Sequence, residues 1–257
     1  MNVEGASVLV TGASSGIGAA LATQLAGRGA TVGLVGRRAD RLADVLSVCQ
    51  EHAPGSRMWV GDLGELEWAE SVALEAWDTF GGLDVLVNNA AIPKVRAVTS
   101  LSNEDVELTM RINFLSPVRM TLAVLPRMLA RGGGAIVNVA SVGGRVGISH
   151  EAAYSASKFA LTGWSESLWI DLYDTPIVVR LIQPGPIDTD IWDRPGEEHA
   201  VYDGPKEPPE GVAEGIIAAL GSDRFEHYIP DLKWVTDAKQ ADVDAFLEGS
   251  AKMGSEK

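Results

Sequence analysis

The chain has 257 residues, of which 46% are hydrophobic, enough for one large α/β domain whose core needs no disulfide staples. Cys49 is the only cysteine, so no disulfide can form within the chain, and the formal net charge of −14 argues against a nucleic-acid partner. The sequence shows no basic segment followed by a long apolar run, and no apolar window near the ~20 residues of a membrane span, so we expect a cytoplasmic protein.

Strand-length apolar runs alternate along the chain with helix-length amphipathic stretches. Several of the runs are apolar throughout, which is typical of strands buried on both faces. The alternation predicts the α/β class: a doubly wound parallel sheet with helices on both faces, in a single domain over residues 1–257. We expect strands over residues 6–10, 30–35, 56–60, 83–87, 135–139 and 177–182, and helices over residues 16–28, 38–51, 65–80, 103–130 and 152–173.

The pattern becomes irregular after the sixth predicted strand. Residues 186–209 are rich in proline, glycine and charge, and a long loop in a compact domain is typical of a functional lid. A further helix over 210–220 and a short strand over 226–229 follow. We expect residues 231–257 to form a C-terminal tail that frays after Gly249.

A glycine-rich turn, T-G-A-S-S-G-I-G from Thr11 to Gly18, follows the first predicted strand and opens the first helix. Glycines permit a tight turn and a close approach of backbone to phosphate, and free amides at a helix N-terminus bind pyrophosphate. The spacing is not the usual G-x-G-x-x-G, so an ordinary turn is the alternative, but the position after the first strand favours a dinucleotide. The expected contacts here are Gly12, Ser14, Ser15, Gly16, Ile17 and Gly18.

Arg37 and Arg38 follow the second predicted strand, where dinucleotide folds face the adenosine ribose. An acidic residue at this place binds the 2′-hydroxyl of NAD, whereas an arginine accommodates the 2′-phosphate of NADP. A pair of solvated arginines is the alternative, although cations at a helix N-terminus oppose the helix dipole. We expect NADP(H) as the preferred cofactor and NAD(H) as the alternative, with Arg37 on the phosphate and Arg38 stacking on adenine or assisting.

Polar residues also end the third and fourth predicted strands, at the sheet edge where ligands bind in open parallel sheets. Asp62 is placed to accept a hydrogen bond from the adenine amino group, and capping of the next helix explains it equally well. Asn88 and Asn89 are candidates for turn residues that tolerate unusual backbone angles.

Tyr154 and Lys158 are four residues apart and therefore share one face of a predicted helix. A phenol has a pKa of about 10, and a nearby ammonium lowers that pKa, so such a tyrosine can act as a general acid or base. Ser141 follows the fifth predicted strand, where its hydroxyl is placed to hold a substrate oxygen. A surface pair and a turn serine are the alternatives, but the combination with the upstream glycine turn favours catalysis.

From Ser7 to about Ile229 the chain resembles the short-chain dehydrogenases/reductases, in their compact single-domain branch with a Rossmann fold. The family usually has glycine where this chain has Ala91, and the added methyl would trim the space beside the cofactor ribose. The matching residues are Thr11-Gly12-x-x-x-Gly16-Ile17-Gly18, Asp62-Leu63, Asn88-Asn89-Ala90, Asn113, Ser141, Tyr154-x-x-x-Lys158 and Pro184-Gly185.

The resemblance implies a role for each matched residue and assigns none to a metal. Tyr154 is the implied catalytic acid in reduction and base in oxidation, and Ser141 orients the substrate carbonyl. Lys158 lowers the pKa of Tyr154 and holds the nicotinamide ribose, while Asn113 holds a water that relays protons to Lys158. Because asparagine is a poor helix former, we expect a local kink at Asn113. The further implied cofactor contacts are Asp62, Leu63, Asn89, Ala90, Tyr154, Lys158, Pro184, Gly185, Ile187 and Thr189.

We therefore expect an enzyme that transfers hydride between NADP(H) and a ketone or secondary alcohol. A non-catalytic NAD(P)-sensing regulatory protein on the same fold is the alternative. An esterase with Ser141 as nucleophile is disfavoured, because no G-x-S-x-G turn surrounds that serine. The predicted helices over 103–130 and 152–173 are long, and the second carries more apolar residues than one narrow stripe can hold. Subunits of the family commonly pair through these two helices. We therefore expect a homodimer or homotetramer.

The predicted lid and the segment after Ser141 favour a lipophilic small-molecule substrate. Val142, Val146 and Ile148 are expected to form an apolar pocket wall. Packing of the lid aromatics on the core is the alternative. The lid residues concerned are Ile191, Trp192, Val201 and Tyr202, beside Asp193, Arg194, Glu197 and Glu198.

Overall fold

The structure of the chain, a computed structural model, describes residues 1–192, 197, 198 and 200–255. Seven parallel strands form one sheet in the order β3-β2-β1-β4-β5-β6-β7, so the strand order reverses between β1 and β4, as in doubly wound folds. The strands are β1 (Ser7–Thr11), β2 (Thr31–Gly36), β3 (Arg57–Val60), β4 (Val85–Asn88), β5 (Gly134–Val139), β6 (Ile177–Pro184) and β7 (Glu226–Ile229).

The helices cover both faces of this sheet, which confirms the predicted fold class. They are α1 (Gly16–Gly27), α2 (Ala39–His52), α3 (Leu66–Phe80), α4 (Asn103–Met110), α5 (Ser116–Arg131), α6 (Ala152–Asp171), α7 (Pro209–Leu220), α8 (Lys233–Ala241) and α9 (Val243–Ser255). In the part of the chain that the structure describes, no helix is both long and apolar enough to cross a membrane.

The core lies on the two faces of the sheet. Successive side chains of a strand point to opposite faces, so Val8 and Val10 of β1 join the cluster formed with α1 and α7. Leu9, between them, joins the cluster formed with α3 and α5. All three side chains are fully buried. A strand covered on both sides has no polar face, which explains its uninterrupted apolar sequence.

Two predictions about helices change in the structure. The single helix expected over 103–130 is divided into α4 and α5 by a π-helical segment, Arg111–Leu115, so the helix is irregular at Asn113, where a local kink was predicted. The prediction that the chain frays after Gly249 is wrong, because α9 continues to Ser255. Phe246 and Ser250 of α9 line the central cleft, and this packing gives the helix a tertiary support that its sequence alone does not show.

Candidate active site

A cleft of about 1850 Å³ runs along the carboxyl edge of the sheet. The strand ends at this edge meet at the switch point between β1 and β4, the usual place for a ligand in open α/β sheets. All the residues predicted to be catalytic or to contact the cofactor line the cleft, except Gly18 and Asn113. The fold therefore brings together groups from both halves of the sequence.

The glycine turn lines the cleft between β1 and α1. Gly12 and Gly16 have φ angles of +70° and +54°, in the left-handed region that favours glycine. Gly18 supports the turn from behind, because a Cβ there would lie 2.4 Å from the carbonyl oxygen of Gly12. Ser15 is the N-cap of α1 but makes no side-chain capping hydrogen bond. The N-terminus of α1 is thus built for close approach by a ligand rather than closed by its own cap.

The two arginines after β2 have different partners. Arg38 donates to the hydroxyls of Ser14, at 3.1 Å, and Ser15, at 2.5 Å. It also pairs with Asp190 at 2.8 Å. Arg37 is half-exposed and its nearest carboxylate oxygen, on Asp62, is 3.6 Å away. Neither arginine is simply solvated, and Arg37 is the less firmly held of the two.

Asp62 does not cap α3, so that alternative for this residue is wrong. The N-cap of α3 is Glu65. The Oδ1 atom of Asp62 accepts instead from the backbone N–H of Gly64 at 2.9 Å. This bond turns the chain at the end of β3 and holds the Asp62 side chain at the cleft.

The two asparagines at the end of β4, Asn88 and Asn89, have other structural roles than predicted. Among the described residues the one non-glycine with a positive φ is His150, so Asn88 and Asn89 do not have unusual backbone angles. Asn88 is buried and donates to the Asn138 side chain of the neighbouring β5 at 2.8 Å. Asn89 donates to the carbonyl oxygen of Thr11 at 2.9 Å and so fixes the glycine turn against β4.

Ser141 and Tyr154 meet in the same cleft. Ser141 follows β5, and its backbone N–H donates to the Oε1 atom of the buried Gln183 at 3.1 Å. The Ser141 hydroxyl accepts from the N–H of Gly143 at 3.0 Å and hydrogen-bonds the Tyr154 phenol. A substrate oxygen beside the phenol would therefore face two hydroxyl groups whose backbone positions are fixed by the sheet and by α6.

Lys158 lies one turn further along α6 and is almost completely buried. Its Nζ atom is 5.7 Å from the centre of the Tyr154 ring and donates to the carbonyl oxygen of Val139 at 2.9 Å. The ammonium thus sits between the phenol and the end of β5.

The expected lowering of the Tyr154 pKa by Lys158 is not what the structure shows. Burial of the phenol, followed by the carboxylate of Glu151, raises the pKa of Tyr154 above its usual value, and the hydrogen bond with Ser141 only partly offsets this. Burial also lowers the pKa of Lys158 to about 7, so its positive charge is only partly present at neutral pH. The phenol is therefore protonated at neutral pH, which is the form needed to donate a proton.

Asn113 lies in the π-helical segment, fully buried behind the cleft. Its side chain accepts from the N–H of Ile92 at 2.8 Å and donates to the carbonyl oxygen of Ile92 at 2.9 Å and to Ser157 at 3.0 Å. Both ends of the amide are thus occupied by the protein. A water held by Asn113 would have to bind its backbone carbonyl, and that role stays a prediction.

The lid contributes an apolar wall to the cleft. Ile191, Trp192, Val201 and Tyr202 all line it, and the rings of Trp192 and Tyr202 are 6.1 Å apart. These residues therefore face the cleft instead of packing only on the core. Two further lid residues named from the sequence, Asp193 and Arg194, lie outside the described residues.

Several residues of the cleft were not found by sequence reasoning. Lys94, after β4, pairs with Glu197 at 2.8 Å and Asp105 at 3.0 Å, which ties the lid to the start of α4. Glu151 lies just before α6 beside Tyr154, and burial raises its pKa to about 7. Lys94 and Glu151 are single charged residues that belong to no recognisable motif, so a sequence pattern could not identify them. The C-terminal helices add Trp234, Val235, Phe246 and Ser250.

Comparison with known proteins agrees with this arrangement. The family model described as short chain dehydrogenase matches residues 6–200. The chain is 35% identical over 235 residues to an uncharacterized oxidoreductase, YxnA, of Bacillus subtilis. The match covers 86% of this chain and 64% of that protein, so the chain spans less than two thirds of that relative.

Two solved structures are similar over almost the whole chain. A short-chain dehydrogenase/reductase of Burkholderia phymatum in complex with NAD has a TM-score of 0.87 at 23% identity, with 95% of this chain and 96% of that chain covered. A short-chain dehydrogenase of Burkholderia cenocepacia in complex with NADP has a TM-score of 0.83 at 28% identity, with 97% and 99% covered. The first supports the fold alone, and the second is similar in sequence as well.

Proposed function

This chain belongs to the short-chain dehydrogenase family of NAD(P)-dependent oxidoreductases, and we propose that it transfers hydride between NADP(H) and a lipophilic ketone or secondary alcohol. The observation that carries this proposal is the hydrogen-bonded pair of Ser141 and Tyr154 at the end of a cleft that begins at a glycine turn. A protein that only sensed the dinucleotide would have no use for two hydroxyls directed at a substrate oxygen.

The residues at the cleft fit a nicotinamide dinucleotide. A Cβ at Gly12 would lie 2.8 Å from the Cα of Ala90, so the turn packs closely against the residues after β4, and the uncapped N-terminus of α1 leaves N–H groups for a pyrophosphate. In the proposal, the turn from Gly12 to Gly18 holds the pyrophosphate, and the segment from Pro184 to Thr189, with Ile187, holds the nicotinamide. When bound, the cofactor supplies or accepts the hydride.

The proton follows a separate route through the protein. Ser141 fixes the substrate carbonyl oxygen, and Tyr154 donates its phenolic proton to that oxygen as negative charge develops there during reduction. In oxidation Tyr154 takes the proton back. Lys158 lies close enough to stabilise the phenolate that reduction leaves behind. We assign to Asn113 the water that returns a proton toward Lys158.

The preference for NADP(H) is proposed from charge. Arg37, Arg38 and Arg41 line the end of the cleft beyond the glycine turn. Charge-assisted bonds between guanidinium and phosphate are among the strongest hydrogen bonds in proteins. A 2′-phosphate in this place would neutralise part of that positive charge, whereas a 2′-hydroxyl would not.

The lipophilic substrate is proposed from the apolar residues that line the cleft near the two hydroxyls. Val142, Val146 and Ile148 line this part of the cleft together with the lid and Trp234. Such a wall stabilises a bound ligand roughly in proportion to the apolar area that it removes from water. A long alkyl or ring-containing ketone fits it better than a small sugar does.

The test is direct incubation of the purified protein with NADPH and a panel of alkyl and aromatic ketones. We expect loss of NADPH fluorescence that depends on the ketone, together with formation of the corresponding alcohol. Saturable binding of NADPH without transfer of hydride to any ketone, and without oxidation of the alcohols by NADP, would instead support the regulatory alternative.

A further inference from the structure

Glu151 places a carboxylate next to the catalytic tyrosine. It is the residue immediately before α6, it lines the cleft with Tyr154 and Ser141, and it is only 9% exposed. Although it is the N-cap residue of α6, its side chain makes no capping hydrogen bond. Within the described residues, the carboxylate of Glu151 has no hydrogen-bond or ion-pair partner, and its oxygen atoms are not sealed from the cleft.

Three other acids that line the cleft have a basic partner. Asp62 faces Arg37, Asp190 pairs with Arg38, and Glu197 pairs with Lys94. A buried carboxylate without a partner is costly, and here the cost is visible as a pKa raised to about 7 by burial. A ligand that donates a hydrogen bond to Glu151 would remove this cost.

We propose that Glu151 binds a hydroxyl or ammonium group of the substrate, close to the carbon that reacts at Tyr154. Glu151 precedes Tyr154 by three residues, and its carboxylate lies near enough to the phenol to act on its charge. The donor group would therefore lie two or three bonds from the reacting carbonyl. The substrate class is thus an α- or β-hydroxyketone, or its amino analogue, with an apolar remainder. This inference rests on the proposed function.

The proposal is tested with matched ketones. The wild type and two variants, Glu151→Leu and Glu151→Gln, are assayed with 1-hydroxyoctan-2-one against octan-2-one, and with 1-hydroxyoctan-3-one against octan-3-one. A hydroxyl group also changes the intrinsic reactivity of the carbonyl, so the measured quantity is the kcat/KM ratio within each pair, compared between proteins. We expect the ratio to fall at least about tenfold in Glu151→Leu for one of the pairs, through KM.

Glu151→Gln keeps the shape of the side chain and one acceptor oxygen, so its ratio should lie between those of the wild type and Glu151→Leu. It also serves if the leucine variant does not fold. Asp171→Asn is the charge-matched control, because Asp171 is an exposed acid at the far end of the same helix. Its ratio should equal that of the wild type.

The outcomes separate the two proposals. Reduction of these ketones with the same ratio in wild type and both Glu151 variants would overturn the role of Glu151 and leave the proposed function intact. Reduction of other panel ketones but of neither hydroxyketone would overturn this inference alone. Failure of the wild type to reduce any ketone of the panel or to oxidise the alcohols, despite binding NADPH, would overturn the proposed function and this inference with it.

Discussion

Asp190, at the start of the lid, accepts a hydrogen bond from Arg38 at 2.8 Å. The same carboxylate also pairs with Arg41, and these two arginines hold the pKa of Asp190 below its usual value. The start of the lid is therefore tied to the arginines that follow β2. Among the residues that the structure describes, the one ion-pair partner of Arg37 is the more distant Asp62, at 3.6 Å, and we therefore propose Arg37 as the residue that binds a 2′-phosphate.

The first prediction concerns the choice of cofactor. Arg37→Asp should shift the preference from NADPH toward NADH, because a carboxylate repels the phosphate and accepts from a ribose hydroxyl. A charge-assisted contact contributes about 1.5–3 kcal/mol, so the ratio of kcat/KM values for the two cofactors should change at least about tenfold.

The matched control is Arg57→Asp, which makes the same charge change at the amino end of β3, away from the cleft. Arg57→Asp should have the same ratio of kcat/KM values for NADPH and NADH as the wild type. Equal efficiency of the wild type with NADPH and NADH would contradict the assignment of Arg37.

The second prediction concerns stability and pH. The pKa of Glu151 is raised from 4.5 to about 7 in the folded protein, so the folded state binds more protons than the unfolded state between these values. Stability is then lost as pH rises from 4.5 through 7, by up to roughly 3 kcal/mol. Glu151→Gln, which mimics the protonated acid, should raise the free energy of unfolding by about 1–3 kcal/mol at pH 8.5.

Urea denaturation at pH 5 and pH 8.5 checks the direction of this change in stability. At pH 5 most of the penalty is absent, and the variant and the wild type should have similar midpoints. A variant that gains as much at pH 5 as at pH 8.5 would show that the effect comes from packing rather than from the charge.

The third prediction concerns assembly. The face of α5 exposes Leu122 and Leu129, with exposed fractions of 52% and 39%, and Leu115 before it is similarly exposed. Apolar side chains repeated on one helix face are typical of a surface covered by another subunit. We expect a homodimer or homotetramer in sedimentation at micromolar concentration, and Leu122→Glu should shift it toward the monomer. A monomeric wild type would contradict this.

The strands could be predicted to within a residue or two at most ends, since a strand buried on both faces is apolar throughout. The glycine turn and the Tyr154–Lys158 pair depend on short-range spacing and could also be predicted from the sequence. The shift of the Tyr154 pKa could not be predicted from the sequence. Its direction depends on burial and on Glu151, which only the packing of α6 brings beside the phenol.

The C-terminal part of the cleft shows why the rest could not be predicted. Trp234 and Phe246 reach the cleft from α8 and α9, far along the chain from the glycine turn. Short helices are marginal without tertiary contacts, so their sequence resembles that of a tail. The pairing of Lys94 with Glu197 likewise joins residues about a hundred positions apart, which no local pattern encodes.

The last prediction separates chemistry from binding. In the proposed mechanism, Tyr154 supplies a proton, whereas the glycine turn and Arg37 supply affinity for the cofactor. The proposal has Lys158 serve both the phenol and the ribose, and its hydrogen bond to Val139 also joins α6 to β5. The two residues should therefore respond differently to substitution.

Tyr154→Phe removes one hydroxyl and preserves the ring, so this variant should bind NADPH within a few-fold of the wild type. Its turnover should fall at least ~10²-fold, the lower range for loss of a positioned general acid, and the pH dependence due to the phenol should disappear. Lys158→Ala should lose both affinity and turnover. Cofactor fluorescence titration and single-turnover hydride transfer measure the two quantities separately. If Tyr154→Phe reduces its ketone at nearly the wild-type rate, Tyr154 is not the acid, even if the fold and the cofactor stand.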